Sequence, residues 1–341
     1  MSGSVTRNRK AALLWLAAIL LPLLLIIVSL NIGAYHIPLR DVWRTVAGVG
    51  GGPGAGPDAE AYRDILFRIR LPRVLLALAI GAALSVSGAA LQAIFRNPLV
   101  NEYILGISFG AAFGAAVSVI FLGRAFPPQL AAFVTACGAV LLVFVVAGRA
   151  LTQPVSLLLT GVIISALFQA LLSLAQFLAN PYALQAIVFW LMGSLAEAGW
   201  KELAVSLPLM TAGVVVLLLL RWRLNVLSLG DDEARALGVN VWGEKILVIL
   251  AATLTTAAAT AAAGVIGWVG LIVPHLVRMM AGADNRRVMP LSALFGASLM
   301  LLADDLARGA TSFEIPIGIL TSVIGIPFFI VLLRRSRRVW L

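Results

Sequence analysis

The chain has 341 residues, of which 61% are hydrophobic and 12% charged, and its mean hydropathy is +1.03. Soluble domains carry about half apolar and a quarter charged residues, so this composition excludes a soluble globular protein and predicts an integral membrane protein. The formal net charge of +10 indicates basic residues at the cytoplasmic ends of helices and not a nucleic-acid partner.

The first predicted element is a transmembrane helix over Ala11–Leu30. Arg7, Arg9 and Lys10 before it are similar to the start of a signal peptide, but the apolar run is longer than a typical signal-peptide core, and no small-x-small cleavage site follows. We therefore expect this segment to remain as the first span, with its basic end in the cytoplasm.

Hydropathy predicts ten spans, because about 20 apolar residues are needed to cross a bilayer. In chain order they cover approximately Ala11–Leu30, Val74–Phe95, Tyr103–Leu122, Leu130–Gly148, Ser156–Leu178, Leu203–Leu220, Ile246–Ala263, Leu271–Met280, Met289–Leu306 and Ile317–Leu333. The eighth segment is too short to cross unaided, so we expect it either to tilt inside the bundle or to extend back through Val265. The sequence thus predicts an all-α polytopic membrane protein with a single transmembrane domain over residues 1–341.

The distribution of basic residues places both termini in the cytoplasm. On this orientation residues 221–245 form a cytoplasmic loop and residues 31–70 a long extracytoplasmic loop, within which Gly48–Gly56 is predicted to be flexible. Six arginines lie between Asn31 and Arg73, against the positive-inside rule, and so many basic residues on the outer side require an explanation.

The sequence contains no GxxxxGK phosphate loop and no evident catalytic or metal-binding constellation, since it has one cysteine and two histidines. No cofactor is expected. An ion-coupled secondary transporter would need carboxylates near the middle of its spans. Asp304 and Asp305 are the nearest candidates, but they lie at the end of a span, and Asp304 is predicted to form a helix-surface pair with Arg308. Such a carrier and a membrane enzyme acting on lipid-linked substrates remain alternatives.

Two backbone motifs stand out. Gly106, Gly110 and Gly114 repeat every four residues, which predicts a stripe of small residues for close helix packing. Asn97-Pro98 predicts a turn after the second span.

The stretch GDDEARALGVN (Gly230–Asn240) predicts a short helix within the cytoplasmic loop. Asp231, Asp232 and Glu233 suit its first turn, where negative charge complements the helix dipole. Gly238 suits the left-handed residue that ends it, and Leu237 with Ala234 gives it a small apolar face. These residues alone predict a capped, solvated linker helix.

Several longer motifs resemble the FecCD family, the permease subunits of type II ABC importers for iron chelates, haem and vitamin B12. They are RLPR (Arg70–Arg73), SGAALQAIFRNPL (Ser87–Leu99), LGISFGAAFGA (Leu105–Ala115), GWVGLIVPHLVR (Gly267–Arg278) and IPIGILTSVIGIPFFIVLL (Ile315–Leu333). The resemblance runs in order over essentially the whole chain. It implies a ten-helix permease in the bacterial inner membrane that forms a homodimer with a central pathway, joined by two cytoplasmic ATPase subunits and an extracytoplasmic substrate-binding protein.

The resemblance also implies roles for particular residues. Acidic residues of the binding protein would dock onto Arg70, Arg73 and Arg308. Asn97 and Leu99 would contribute to the cytoplasmic gate, and the pathway would include Gly106, Ser108, Phe109, Pro154 and Val155. Pro154 and Val155 replace small hydroxyl residues of the family, and Phe109 stands where many relatives have a small residue.

The cytoplasmic loop of the family is the coupling helix that fits a cleft on the ATPase. The resemblance therefore implies that Leu237 is the buried apolar contact and that Glu233 and Arg235 are polar contacts. Asp231, Asp232 and Gly238 complete the expected coupling set. An iron–siderophore complex is the first expectation for the substrate, followed by haem, cobalamin and oxyanions such as molybdate.

Overall fold

The computed structural model describes residues 2–33, 35, 37–48, 57–123, 126–148, 153–311 and 313–336, with the backbone alone at 2–10, 57–58 and 332–336. All regular structure in these residues is helical, so the predicted all-α fold is confirmed. The α-helices are α1 (Ser2–Asn31), α2 (Leu39–Val46), α3 (Pro57–Asp64), α4 (Leu71–Phe95), α5 (Ile107–Val117), α6 (Pro128–Ala147), α7 (Pro154–Leu178), α8 (Pro181–Leu191), α9 (Trp200–Leu219), α10 (Arg221–Leu229), α11 (Asp231–Ala236), α12 (Val241–Ala263), α13 (Val269–Ala281), α14 (Asn285–Gly309) and α15 (Ile317–Ser336). Two π-helical segments, Ile65–Arg70 and Ser118–Leu122, adjoin α4 and α5.

Every predicted span coincides with a helix. Seven helices in the described part of the chain are long and apolar enough to cross a membrane, and four shorter apolar helices cover Ile107–Leu122, Pro181–Leu191, Val269–Ala281 and Ile317–Val331. Of these, Pro181–Leu191 was not predicted. It follows α7 after two residues, and the Asn180 side chain caps it by accepting a hydrogen bond from the Ala183 amide.

The predicted extension of the eighth span through Val265 is wrong. α12 ends at Ala263, the next residue Gly264 has a φ of +73° that favours glycine, and α13 begins only at Val269. A Cβ atom on Gly264 would lie 2.2 Å from the carbonyl oxygen of Trp190, so the chain at this point also needs glycine for close approach. At 13 residues α13 is about 20 Å long and starts inside the bundle.

α4 forms the middle of the bundle and packs against α14, α12, α9 and α13. Its glycines allow backbones to approach closely: a Cβ atom on Gly81 would lie 2.2 Å from the Gly296 carbonyl oxygen, and one on Gly88 would lie 1.9 Å from the Gly270 carbonyl oxygen. Small residues bring helices together in this way inside membranes, where the hydrophobic effect does not drive their association.

The predicted packing stripe of small residues lies between α5 and α6. Cβ atoms on Gly110 and Gly114 would lie 2.9 Å and 2.4 Å from the carbonyl oxygens of Thr135 and Ala131. Gly106 has another role, because its φ of +76° makes the turn that starts α5. The packing prediction is therefore confirmed for two of the three glycines.

The segment over residues 31–70 contains α2, α3 and the π-helical Ile65–Arg70. Ile37, Val42 and Leu66 form a small buried cluster there. The predicted flexible tract Gly48–Gly56 lies, beyond Gly48, outside the described residues.

Candidate functional site

The segment predicted to be a cytoplasmic loop folds into a hook made of α10, α11 and the residues up to Asn240. Gly230 has a φ of +150° and separates α10 from α11. Gly238, at φ +77°, ends α11 with two hydrogen bonds, from its own amide to the Arg235 carbonyl and from the Val239 amide to the Ala234 carbonyl. This is the Schellman ending expected of a glycine-terminated helix, so the predicted short helix and its stop are confirmed.

Ion pairs fix the hook to the membrane helices. Lys245 of α12 contacts Asp231 at 2.7 Å with its side chain buried, and Arg223 of α10 pairs with Glu244 of α12. Ala234, on the inner side of α11, is fully buried. Asp231, predicted as part of the coupling set, is therefore an internal anchor of the hook in this structure.

The other side of the hook faces outward. The Leu237 residue is 63% exposed, and the Asp232 and Arg235 side chains, 2.9 Å apart, are 95% and 54% exposed. Leu229 and Trp242 add exposed apolar surface near them. These two were not predicted, because each lies in the stretch of mixed polar and apolar residues between two predicted spans.

The turn after α4 lies against the hook. Arg96 ends α4 at φ 51°, and Asn97 Oδ1 accepts a hydrogen bond from the Leu99 amide at 2.9 Å. An Arg96 Nη1 atom would lie 3.5 Å from a Cβ atom on Gly230. Asn97 and Ser228 of α10 line the same cavity of about 190 Å³, so movement of the hook has a direct route to this turn.

The remaining predicted pathway residues do not form one cluster. Phe109 is half-buried and packs edge-on against Tyr103, with ring centroids 6.0 Å apart, and Ser108 is buried in α5. Pro154 occupies the first turn of α7, and Val155 beside it is exposed.

The side chains of the three predicted docking arginines are buried where the start of α4 and the end of α14 meet the end of α1: Arg70 just precedes α4, Arg73 lies in its first turn and Arg308 lies in the last turn of α14. Arg73 contacts Asp304 at 2.9 Å and Glu314 at 2.7 Å, and Arg308 contacts Asp304 at 3.1 Å and Asp305 at 2.5 Å. The predicted Asp304–Arg308 pair exists, but its location on the helix surface is wrong, because α14 packs against α1 and α4 there.

Hydrogen bonds join α1 to the same cluster. Ser29 Oγ donates to Asp305 at 2.7 Å, and Arg308 donates to the Ser29 carbonyl at 2.6 Å. Arg70 donates to the carbonyls of Leu30 and Tyr35. We call the set Ser29, Arg70, Arg73, Asp304, Asp305, Arg308 and Glu314 the outer ion cluster. The acidic partners of Arg73, Asp304 and Glu314, were missed because they lie more than 200 residues further along the chain.

The chain is similar to curated permeases along nearly its whole length. It is 41% identical to the uncharacterized ABC transporter permease protein YvrB of Bacillus subtilis, covering 92% of this chain and 91% of that protein. It is 40% identical to the molybdate import system permease protein MolB of Haemophilus influenzae (93% and 95%) and 38% identical to the hemin transport system permease protein HmuU of Yersinia pestis (94% and 94%).

A solved structure of a transporter assigned to the metal-chelate type of ABC transporters, in an inward-facing conformation, matches with a TM-score of 0.84 and 39% identity. The match covers 95% of this chain and 99% of that chain. The model of the FecCD transport family matches residues 19–335. The resemblance of the motifs is thereby confirmed, together with the ABC importer permease fold: the chain belongs to the FecCD transport family.

Proposed function

We propose that this chain is the transmembrane permease subunit of an ATP-driven ABC importer for a metal chelate. The observation that carries the proposal is the hook, which is fixed to the membrane helices by the buried Lys245–Asp231 pair and by the partly exposed Arg223–Glu244 pair, yet presents Leu237 on a charged surface. An exposed apolar residue on a rigid, polar support suits a small apolar pocket on a protein partner.

In this proposal the partner at the hook is a cytoplasmic ATPase, and ATP hydrolysis takes place there, not in this chain. Two copies of the chain form a homodimer with two ATPase subunits. A displacement of the hook by the ATPase reaches α4 through the Arg96–Asn97 turn, which contacts the hook at α10 and at Gly230. Alternating access between the two copies follows from that movement.

The substrate is a metal chelate, with an iron–siderophore complex first and haem, cobalamin or molybdate as the alternatives. The support is the range of names among relatives, which include hemin, molybdate and iron chelatin permeases. An extracytoplasmic binding protein supplies the chelate, and the chain lies in the bacterial inner membrane with both termini in the cytoplasm.

Docking of the binding protein involves Arg73 of the outer ion cluster. Arg73 already holds two carboxylates, but Glu314 is its partly exposed partner, with 43% of the side chain accessible. A carboxylate of the binding protein can therefore replace Glu314 at Arg73 while Asp304 remains in place. Arg70 and Arg308 then support the docking surface from beneath.

Reconstitution tests the function directly. The permease, copurified with its ATPase, is placed in liposomes with an external binding protein, and uptake of radiolabelled chelate is measured with and without ATP. We expect uptake only when ATP and the binding protein are both present. Uptake driven by an ion gradient without ATP would contradict the proposal and favour an ion-coupled secondary transporter.

A further inference from the structure

Glu102 lies in the segment between α4 and α5, and this segment turns back into the helix bundle. A Cβ atom on Gly270 would lie 2.9 Å from both Glu102 Oε2 and the carbonyl oxygen of Leu84. Leu84 is roughly midway along α4, about 16 Å from its Phe95 end at 1.5 Å per residue. The carboxyl group therefore lies at membrane depth, between α4 and the first turn of α13.

The Glu102 carboxyl group is buried without a partner. The residue is 2% exposed, and neither carboxyl oxygen has a hydrogen-bond partner among the described residues. The other buried carboxylates at membrane depth or near it, Asp304 and Asp305, are paired with arginines. An ionised carboxylate without a partner is strongly disfavoured in such surroundings. These surroundings therefore favour the neutral, protonated form of the carboxyl group.

The charged and titratable side chains of the neighbouring elements are engaged elsewhere. Arg278 of α13 donates to Gln92 Oε1 and to the Ala89 carbonyl of α4. His275 of α13 packs edge-on against an aromatic ring of α15. Tyr103, the next residue, is the titratable group adjacent to Glu102.

A line of polar atoms leads from Glu102 toward the cytoplasmic side. Gln92 of α4 donates from Nε2 to the Gly270 carbonyl at 3.4 Å, beside the Glu102 carboxyl group, and accepts from Arg278 with its other atom. Gln92 and Arg278 both line the cavity of about 190 Å³ at the Asn97 turn. Water in that cavity is thus separated from Glu102 by the amide of Gln92.

Tyr103 lies on the opposite side. It lines a second cavity of about 360 Å³ between α8, α15 and the segment before α13. Its phenol oxygen would lie 2.8 Å from a Cβ atom on Gly267, so the ring packs against the segment before α13. Glu102 is therefore followed by an aromatic residue at this second cavity, whereas the polar Gln92 side chain lies between Glu102 and the first cavity.

We propose that Glu102 is a proton-binding site inside the membrane, which exchanges one proton with the cytoplasmic cavity by way of Gln92. The carboxyl O–H bond breaks as an O–H bond forms on a water molecule that enters from the cavity along the polar Gln92 side chain, and the resulting hydronium ion carries the proton into the cavity. The reverse step restores the neutral acid. Separation of the Glu102 segment from α13 exposes the carboxyl group and releases the proton, and closure requires it to bind again. The site is a property of this chain and does not depend on the substrate or the ATPase.

Infrared spectroscopy of the purified chain in lipid nanodiscs tests the proposal. We expect the carbonyl-stretch band of a protonated, non-aqueous carboxylic acid at neutral pH, and we expect Glu102→Gln to remove it while preserving the thermal unfolding temperature. Asp305→Asn is the matched control and should retain the band, because Asp305 is ion-paired. A wild-type spectrum without this band, or an unchanged band in Glu102→Gln, would overturn the proposal.

A second variant tests the route while Glu102 stays in place. Gln92→Leu should keep the band but slow its shift after transfer to ²H₂O several-fold, because the amide between the carboxyl group and the cavity is gone. An unchanged exchange rate would refute the route through Gln92.

Discussion

Leu237 is the residue whose exposure is hardest to explain without a partner. It lies one residue before the glycine that ends α11, on a helix otherwise made of charged and small residues, and nothing in the described fold covers it. The expectation that it enters a pocket of the ATPase remains a prediction, and its surroundings specify how to test it.

Leu237→Asp should separate ATP hydrolysis from transport. Burying a new charge in an apolar pocket is strongly unfavourable, so we expect uptake in proteoliposomes to fall to background while the membrane helices fold normally. Leu237→Met is the control and should retain most activity, because methionine has a similar volume. Full uptake by the aspartate variant would show that Leu237 does not carry the coupling.

In the proposed docking, Glu314 competes with a carboxylate of the binding protein for Arg73. Glu314→Gln removes the partly exposed carboxylate from Arg73 and leaves Asp304 as its ionic partner. We expect tighter binding of the substrate-binding protein, measured by surface plasmon resonance on nanodiscs. The internal contact between residue 314 and Arg73, which competes with docking, should depend less on salt concentration. Glu60→Gln, which changes an exposed acidic residue of α3, should have no effect. Unchanged affinity in Glu314→Gln would exclude Arg73 from docking.

At the scale of helices, the outer ion cluster joins α1, α4 and α14 through buried charges. Removing one partner leaves the others buried without compensation, which typically costs about 3–5 kcal/mol. We therefore expect Arg308→Ala to lower the unfolding temperature strongly in detergent. Arg44→Ala is the matched control, since Arg44 and Asp41 form an exposed pair 4.0 Å apart and such pairs contribute about 0–1 kcal/mol. Equal effects of the two variants would contradict the structural role of the cluster.

The close crossing of α4 and α13 depends on Gly88, which has no side chain. Gly88→Ala would place a methyl group 1.9 Å from the Gly270 carbonyl oxygen, between two backbones that cannot yield locally. We expect a lower unfolding temperature and increased amide hydrogen exchange in α13. Gly138→Ala should be neutral or stabilising, because nothing lies within 4 Å of a Cβ atom at that position of α6. Gly88→Ala with wild-type stability would show that the two helices are not packed as described.

At the scale of the whole molecule, hydropathy was sufficient to locate the helices at all ten predicted spans, seven of which are long and apolar enough to cross a membrane, and turn chemistry was sufficient to find the hook helix and its glycine. Three features of the structure could not be predicted from the sequence. α8 has only 11 residues, too few to be distinguished by hydropathy. The burial of the outer arginines depends on acidic partners on a distant helix, a contact between segments that a single sequence does not reveal. Glu102 follows a predicted turn, and the return of that turn into the bundle depends on the close packing of α4 with α13.

The hook as the contact with an ATPase is the claim on which the proposed function depends most. The chain has one cysteine, Cys137, so in a Cys137→Ser background a single reactive thiol can be introduced at a chosen position. Leu237→Cys should cross-link to a cysteine in the apolar cleft of the copurified ATPase, and the yield should change when ATP binds. Tyr182→Cys, exposed near the opposite ends of the spans, should give no cross-link. Cross-linking at Leu237 with a yield no higher than at Tyr182 would contradict the account.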